Sequence, residues 1–246
     1  METKESVVID KESLIMSLHE IGAVQLKEAS AHSGGSSPLH VDLQALASRP
    51  ATLRRVAHIM QAQAATLKFE RVAAIPMGGL AIGVALSLAM DRPLIYPRPL
   101  GNESNAGRLI AGSYKAGETI LLVDDLITDG NSQLEILALL KVVRLRVTDV
   151  LVVLDRGLGG REKLEAEGYT VRPILTPQDI LDTLLRLHRI SPEQHKFVSA
   201  WMAEGQARRK AQPQSLPTAP APAKEAGPTL ASQPPPPAPD PASKPS

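Results

Sequence analysis

Apolar runs alternate with helical patterns through the middle of the chain. The runs lie between residues 71 and 175 and read RVAAI, LIY, TILLVD, DVLVVL and VRPIL. Several are apolar throughout, and continuous apolar strands separated by helices are typical of a parallel sheet that is covered on both faces. The pattern therefore predicts an α/β fold with a doubly wound, mostly parallel sheet. Ligands of such sheets bind beyond the carboxyl ends of the strands.

Outside this alternating region the pattern changes at both ends of the chain. Residues 206–246 hold 12 of the 21 prolines and almost no large apolar residue. They predict a disordered tail, with a proline-rich docking ligand as the alternative. Residues 1–16 read as an N-terminal extension, which leaves one domain over 17–205. Within it, residues 20–45 fit neither period and predict an irregular or short-stranded flap.

Composition narrows the class of protein. The 27 Lys+Arg against 26 Asp+Glu give no basic surface for nucleic acid or membranes, so the expected ligand is a small molecule. The absence of cysteine excludes disulfides, thiolate metal ligands and a cysteine nucleophile, and it fits a reducing cytosol. Residues 1–16 lack the basic start and continuous apolar stretch of a signal peptide, and no later run is long enough to span a bilayer, so we expect neither feature. We expect a soluble, cytoplasmic protein.

Residues 119–132, TILLVDDLITDGNS, read as strand, loop and helix. A loop of small and hydroxyl residues at a helix N-terminus offers unpaired N–H groups and the positive end of the helix dipole, which suits a phosphate monoester. Asp124 and Asp125 stand at the strand end, where paired carboxylates are costly unless they meet cations, hydroxyl donors or water. A sugar diol with magnesium nearby would satisfy both carboxylates. Simple capping of the following turn is the alternative.

Two further strand ends carry candidate binding residues. Gly78 and Gly79 follow the strand RVAAI, and glycines let the backbone approach a bulky anion. An ordinary strand-to-helix turn is the alternative. Arg156 follows DVLVVLD, and a guanidinium can bind the carboxylate of a planar acidic base with two hydrogen bonds. An exposed surface arginine is the alternative at that position.

The run of apolar strand, two acids, two apolar residues, Thr, any residue and Gly resembles the signature that binds phosphoribosyl pyrophosphate (PRPP) in type I phosphoribosyltransferases. LDRGLGGREKL and SGGSSPLHVDLQALASRP resemble segments of the orotate phosphoribosyltransferases, and the similarity covers residues 17–200. The resemblance implies Mg²⁺ bound mainly through PRPP, with no direct protein ligand. It implies PRPP contacts at Arg98, at Met77, Gly78 and Gly79, and at Asp124, Asp125, Leu126, Ile127, Thr128, Asp129, Gly130, Asn131 and Ser132.

By the same resemblance, the orotate contacts are Thr128, Arg156 and His32. Asp124, Asp125 and Asn102 take the catalytic positions. Family members share a loop of the form RKExKxHGxxxxIEG across a homodimer interface, and here residues 98–112 read RPLGNESNAGRLIAG. Asn102 stands at the position of the catalytic lysine. It donates a hydrogen bond but supplies no charge to the departing pyrophosphate.

The expected function is transfer of ribose 5-phosphate from PRPP to orotate, which gives orotidine 5′-phosphate and pyrophosphate in pyrimidine (UMP) biosynthesis. One alternative is a non-catalytic PRPP or nucleotide sensor that keeps the phosphate loop while its catalytic loop has decayed. Another is a phosphoribosyltransferase for a different base, because Leu39, His40 and Val41 replace the flap aromatics. No GxGxxG follows a strand, which disfavours a Rossmann-type dinucleotide binder.

Overall fold

The computed structural model of the protein describes residues 4–26, 37–98 and 109–211. Its helices are α1 (Lys4–Glu20), α2 (Pro50–Ala64), α3 (Gly78–Met90), α4 (Asn131–Val142), α5 (Gly160–Ala166), α6 (Pro177–Arg186) and α7 (Pro192–Ala211), with a 3₁₀ helix over Leu43–Ser48. Its strands are β1 (Val24–Leu26), β2 (Leu39–Val41), β3 (Arg71–Ala74), β4 (Leu94–Pro97), β5 (Ile110–Ala111), β6 (Thr119–Ile127), β7 (Arg146–Asp155) and β8 (Thr170–Leu175).

The central sheet has the strand order β5-β4-β3-β6-β7-β8, and only the β4/β5 pair is antiparallel. The five predicted strands are confirmed as β3, β4, β6, β7 and β8. After β3 the chain adds β4 on one side, and it later returns to add β6 on the other side. The strand order therefore reverses between β3 and β6. In doubly wound sheets the crevice beyond the carboxyl ends of two such strands is where ligands bind.

Strand β6 shows why these runs are apolar throughout. Leu121 and Val123 pack into one hydrophobic cluster with α1, α2, α3 and α6, while Ile120 and Leu122 pack into a second cluster with α4 and α5. Successive side chains of a strand point to opposite faces of the sheet. Both faces are covered by helices, so both alternating sets must be apolar. The expected doubly wound architecture is confirmed.

The helices at the two ends of the domain extend past the predicted limits. Helix α1 buries Leu14 and Ile15 completely, so the packed part of the chain begins before residue 17. Helix α7 continues to Ala211, beyond residue 205. Residues 212–246, which make up most of the predicted tail, lie outside the described residues. Among the helices that are described, none has the length and apolar character needed to cross a membrane.

Helices α6 and α7 begin just after residues whose side chains cap them, and the flap contains the expected short strands. Thr176 caps α6 in a reciprocal capping box with Asp179, and the Ser191 hydroxyl accepts a hydrogen bond from the Gln194 N–H at 3.2 Å. Strands β1 and β2 pair antiparallel, which gives the flap two short strands. His32 and Asn102 lie outside the described residues, so their predicted roles stay predictions.

Candidate active site

The loop between β6 and α4 is held by its neighbours. Gly130 has a φ of 78°, a left-handed conformation that favours glycine, and it ends the loop just before α4 begins. The N–H of Gly160 in α5 donates to the Thr128 carbonyl at 2.8 Å, and the Asn131 N–H donates to the Asp129 carboxylate at 3.1 Å. The first turn of α4 is thereby fixed at the carboxyl edge of the sheet. Its N–H groups have no partners within the helix.

Asp124 and Asp125 form a carboxylate pair at the same edge. Asp124 is only 4% exposed; its Oδ2 accepts from Gln133 Nε2 at 2.6 Å and its Oδ1 accepts from the Asp125 N–H at 2.9 Å. Burial, followed by the neighbouring charge of Asp125, raises the pKa of Asp124 to about 8. Half-buried Asp125 accepts from the Leu126 N–H at 2.8 Å. A ligand that carries hydroxyl donors and a cation would supply hydrogen bonds and positive charge to this carboxylate pair.

The loop between β3 and α3 touches this pair through its two glycines. A Cβ atom at Gly78 would collide with the Asp125 carboxylate, and one at Gly79 would lie 2.9 Å from the Asp124 Cα. The peptide bond between Pro76 and Met77, just before them, is cis. Gly78 and Gly79, which the sequence predicted to lie at an anion site, therefore closely approach Asp124 and Asp125 near the end of β6.

Arg156 lies at the end of β7, the next strand along. Its N–H donates to the Ile127 carbonyl at 2.9 Å, and its Nη2 donates to the Leu39 carbonyl of the flap at 3.4 Å. Desolvation lowers the pKa of the half-buried guanidinium. It forms no ion pair within the described part of the chain, and the neighbouring Asp155 carboxylate accepts from the Gly157 N–H. Arg156 is thus available to an anionic ligand.

The remaining predicted site residues differ in their burial and in their position relative to the site. Arg98 directly follows β4, the neighbour of β3, and its Nε is buried with no hydrogen-bond partner among the described residues. The side chain of Ile127 is fully buried in the core, which leaves only its backbone at the site. Met77 is 81% exposed. Thr128 and Arg156 are brought close through their backbones, but Thr128 does not line the pocket around Arg156.

The structure adds two residues that the sequence analysis missed. Gln133 is buried and donates a hydrogen bond to Asp124. The sequence could have indicated it, because Gln133 is a polar residue on the helix face that otherwise carries apolar residues such as Leu137 and Leu140. Lys163 of α5 reaches the phosphate loop, where its Nζ donates to the Asn131 side chain at 2.5 Å. No sequence pattern indicates that Lys163 lies at this loop, because the contact depends on how α5 packs against it.

Comparisons with known proteins agree with this geometry, although no family model matches the chain. The orotate phosphoribosyltransferase of Pyrococcus furiosus is 32% identical over 174 residues, which cover 70% of this chain and 96% of that protein. The bifunctional enzyme PyrF/PyrE of Nostoc is 32% identical over 187 residues, or 76% of this chain and only 39% of that longer relative. A solved UMP synthase of Leishmania donovani has a TM-score of 0.70 at 29% identity and covers 79% of this chain, 42% of its own.

The parallel sheet, its switch point and the two loops that meet there define the type I phosphoribosyltransferase fold. Within that class, the match across almost the whole length of the Pyrococcus furiosus protein is decisive. The chain belongs to the orotate phosphoribosyltransferase family.

Proposed function

We propose that the protein transfers ribose 5-phosphate from PRPP to orotate and releases pyrophosphate, a step of pyrimidine biosynthesis. The observation that carries the proposal is the contact of the Gly78–Gly79 loop with Asp124 and Asp125 at the switch point of the sheet. This contact places two anion-binding loops on either side of a carboxylate pair. PRPP has the same arrangement of groups, with a phosphate and a pyrophosphate on either side of a ribose diol.

Each part of PRPP has a matching element in this proposal. The first turn of α4 receives the 5-phosphate, with Lys163 as a nearby cation. Asp124 and Asp125 accept hydrogen bonds from the ribose hydroxyls. The Gly78–Gly79 backbone and Arg98 lie on the pyrophosphate side, because β3 and β4 are neighbours in the sheet. The half-buried guanidinium of Arg156 holds the base.

Magnesium fits this site as a companion of PRPP. Burial, and after it the neighbouring charge of Asp125, raises the pKa of Asp124, and a divalent cation on the ribose hydroxyls would supply compensating positive charge. Asp124 and Asp125 would hold the ion through those hydroxyls. When bound, the ion offsets negative charge on the pyrophosphate.

The chain's own residues then favour departure of the pyrophosphate. The reaction breaks the bond from ribose C1 to the pyrophosphate oxygen and forms a bond from C1 to the base nitrogen, which loses its proton to solvent. The electrons of the broken bond leave with the pyrophosphate, so negative charge grows on the leaving group. Backbone N–H groups and Arg98 on the pyrophosphate side stabilise that charge. Arg156 and the phosphate loop fix the base and the ribose in line.

A competition assay tests the substrate assignment. The protein is incubated with PRPP, magnesium and a mixture of orotate, uracil, adenine and nicotinate, and the products are identified by mass spectrometry. We expect orotidine 5′-phosphate to dominate, because Arg156 favours a base that carries a carboxylate. A product made from a neutral base in preference to orotate would contradict the assignment.

We expect Gln133→Leu to change the pH dependence of the reaction. The Gln133 amide lowers the pKa of Asp124, which still lies near 8, so its removal raises that pKa further. The ionised carboxylate is the form that accepts from the ribose hydroxyls. For the unmodified protein, kcat/KM for PRPP should therefore rise with pH to a plateau above about 8, and in Gln133→Leu the rise should move to higher pH.

The control for this experiment is Glu135→Gln on the exposed side of the same helix, which should leave the pH profile in place. A profile that is identical in Gln133→Leu and in the unmodified protein would show that Asp124 does not control the binding of PRPP.

We also propose that the protein acts as a homodimer in which residues 98–112 are shared across the interface. The outward side of α3 is apolar, with Val84 42% and Leu88 79% exposed, and the helix begins at Gly78 in the site. A contiguous apolar surface of this kind is typical of a contact between proteins. A second copy packed on α3 would lie next to the pyrophosphate loop.

Leu88→Lys should dissociate this dimer, because it places a charge in the middle of the apolar face. Val142→Lys is the matched control, since Val142 is a comparably exposed apolar residue (72%) on α4. Sedimentation velocity should show a monomer for Leu88→Lys alone, with kcat reduced as well. A dimer that persists in Leu88→Lys would exclude α3 from the interface.

A further inference from the structure

A pocket beside Arg156 is walled by the C-terminal helix of the domain. We call it the α7 pocket; its lining residues are Ser37, Leu39, Arg156, Gly157, Leu158, Pro177, Trp201 and Met202. The flap supplies Leu39, and α7 supplies Trp201 and Met202. Most of this lining is apolar, while the one charged group is the guanidinium of Arg156. The α7 pocket therefore suits a molecule that is apolar and flat in its body and anionic at one edge.

The burial and the hydrogen bonding of the Arg156 guanidinium favour an anionic ligand in the α7 pocket. Its guanidinium is half-buried and desolvated, which lowers its pKa, yet its only hydrogen bond within the described ranges is the 3.4 Å contact to the Leu39 carbonyl. A desolvated cation without an anionic partner is costly. A carboxylate in the α7 pocket would accept two hydrogen bonds from the guanidinium and remove that cost.

The aromatic ring in this pocket comes from α7. The flap strand β2 reads Leu39-His40-Val41 and carries no phenyl or indole ring. Trp201, the one tryptophan of the chain, lines the α7 pocket. Phe197 lies one turn earlier on the same helix, is 45% exposed and does not line the pocket. An indole face suits stacking against a planar heterocycle.

The α7 pocket adjoins the PRPP loops through the sheet. Ile127 at the end of β6 is paired with Asp155 at the end of β7, so the two strands end level with each other. The N–H of Arg156 donates to the Ile127 carbonyl, and Gly160 donates to Thr128. A base in the α7 pocket would thus lie one strand away from the ribose site at Asp124 and Asp125.

We propose that Trp201 and Met202 of α7 form the apolar wall of the base-binding pocket, and that Trp201 is a specificity-determining residue that stacks on the base held by Arg156. The proposal rests on the proposed function and extends it to the C-terminal helix. Selectivity for a flat, carboxylated heterocycle then comes from one stacking surface and one guanidinium, with the ring supplied by α7 in place of the flap.

The single tryptophan allows a direct test in the full-length protein. Orotate and, separately, orotidine 5′-phosphate are titrated while the Trp201 fluorescence is followed; stacking should quench or shift the emission in a saturable way. Steady-state kinetics then compare Trp201→Phe, Trp201→Leu and the control Phe197→Leu. We expect Trp201→Leu to raise the KM for orotate about fivefold with the KM for PRPP unchanged, since an aromatic pair contributes about 1 kcal/mol beyond its buried area. Trp201→Phe and Phe197→Leu should stay close to the unmodified protein.

The outcomes separate this inference from the proposed function. Turnover of orotate with no fluorescence change, or with the same KM in Trp201→Leu, overturns the role of Trp201 and leaves the proposed function standing. Neither turnover nor a fluorescence response in the unmodified protein overturns both. If Trp201→Leu does not fold, the fluorescence titration of the unmodified protein decides the matter.

Discussion

Gly78→Ala is expected to lower kcat/KM about 100-fold, because a displacement of reacting groups by about 1 Å can cost that much. The added Cβ would overlap the Asp125 carboxylate, so that carboxylate must turn away or the loop before α3 must shift. Either change displaces a group that is proposed to hold the ribose or the pyrophosphate. The effect should appear in kcat as well as in the KM for PRPP, since the misplaced groups flank the reacting carbon.

The stability of Gly78→Ala distinguishes a clash with Asp125 from a simple change of helix propensity. Gly78 is the first residue of α3, and alanine in a helix is favoured over glycine by about 1 kcal/mol. If the close approach to Asp125 did not matter, Gly78→Ala would be at least as stable as the unmodified protein and equally active. Thermal unfolding together with kinetics distinguishes the cases. A variant with unchanged kcat/KM would show that the close approach of Gly78 to Asp125 is dispensable.

Asp125→Asn is expected to weaken PRPP binding by a factor of about 10 to 100, the value of one charge-assisted hydrogen bond of about 1.5–3 kcal/mol. Asn keeps the size of the side chain but removes the negative charge that would face the ribose hydroxyls and their magnesium. Isothermal titration calorimetry with PRPP and magnesium measures the loss directly, whether or not catalysis occurs.

Asp91→Asn is the matched control for this substitution. Asp91 caps the C-terminus of α3 with a φ of 50°, a conformation that Asn also adopts readily, and it is exposed. Its affinity for PRPP should equal that of the unmodified protein. Equal affinities for Asp125→Asn and Asp91→Asn would remove Asp125 from the ribose site.

The sequence predicted the sheet and the strand, loop and helix from residue 119 onward well, because both depend on local order. The run from Thr119 to Ser132 contains its strand, its acids, its glycine and the start of its helix in one continuous segment. The Gly78–Gly79 loop was predicted as an anion site, but its contact with Asp125 is a tertiary feature that only the packing of β3 against β6 creates.

Two of the site residues that sequence reasoning missed depend on contacts between elements distant in the chain. Lys163 approaches Asn131 across 32 positions, and Trp201 shares a pocket with Leu39 because α7 packs beside the flap. Residues 192–211 show no binding motif in the sequence, so Trp201 was not among the predicted site residues. Strand β5 has two residues, which is too short for a periodic pattern.

One feature of the sequence bears directly on the rate of the reaction. Asn102 stands where the resembling enzymes carry a catalytic lysine, and the loss of one charge-stabilising donor typically costs about 10²–10³ in rate. Arg98 is the described cation nearest in sequence to Asn102. It lies on the proposed pyrophosphate side, and its buried Nε has no hydrogen-bond partner among the described residues. We therefore propose that Arg98 takes over part of the role of the lysine.

The most direct test of the central claim follows the loss of orotate absorbance after the protein is mixed with PRPP, magnesium and orotate, with Asn102→Lys assayed alongside. Our account predicts that the unmodified protein consumes orotate and releases one pyrophosphate for each orotidine 5′-phosphate formed. Binding of PRPP by calorimetry without any consumption of orotate, together with activity gained in Asn102→Lys, would contradict it. That result would mean that the chain retains the fold and the PRPP site as a binding protein.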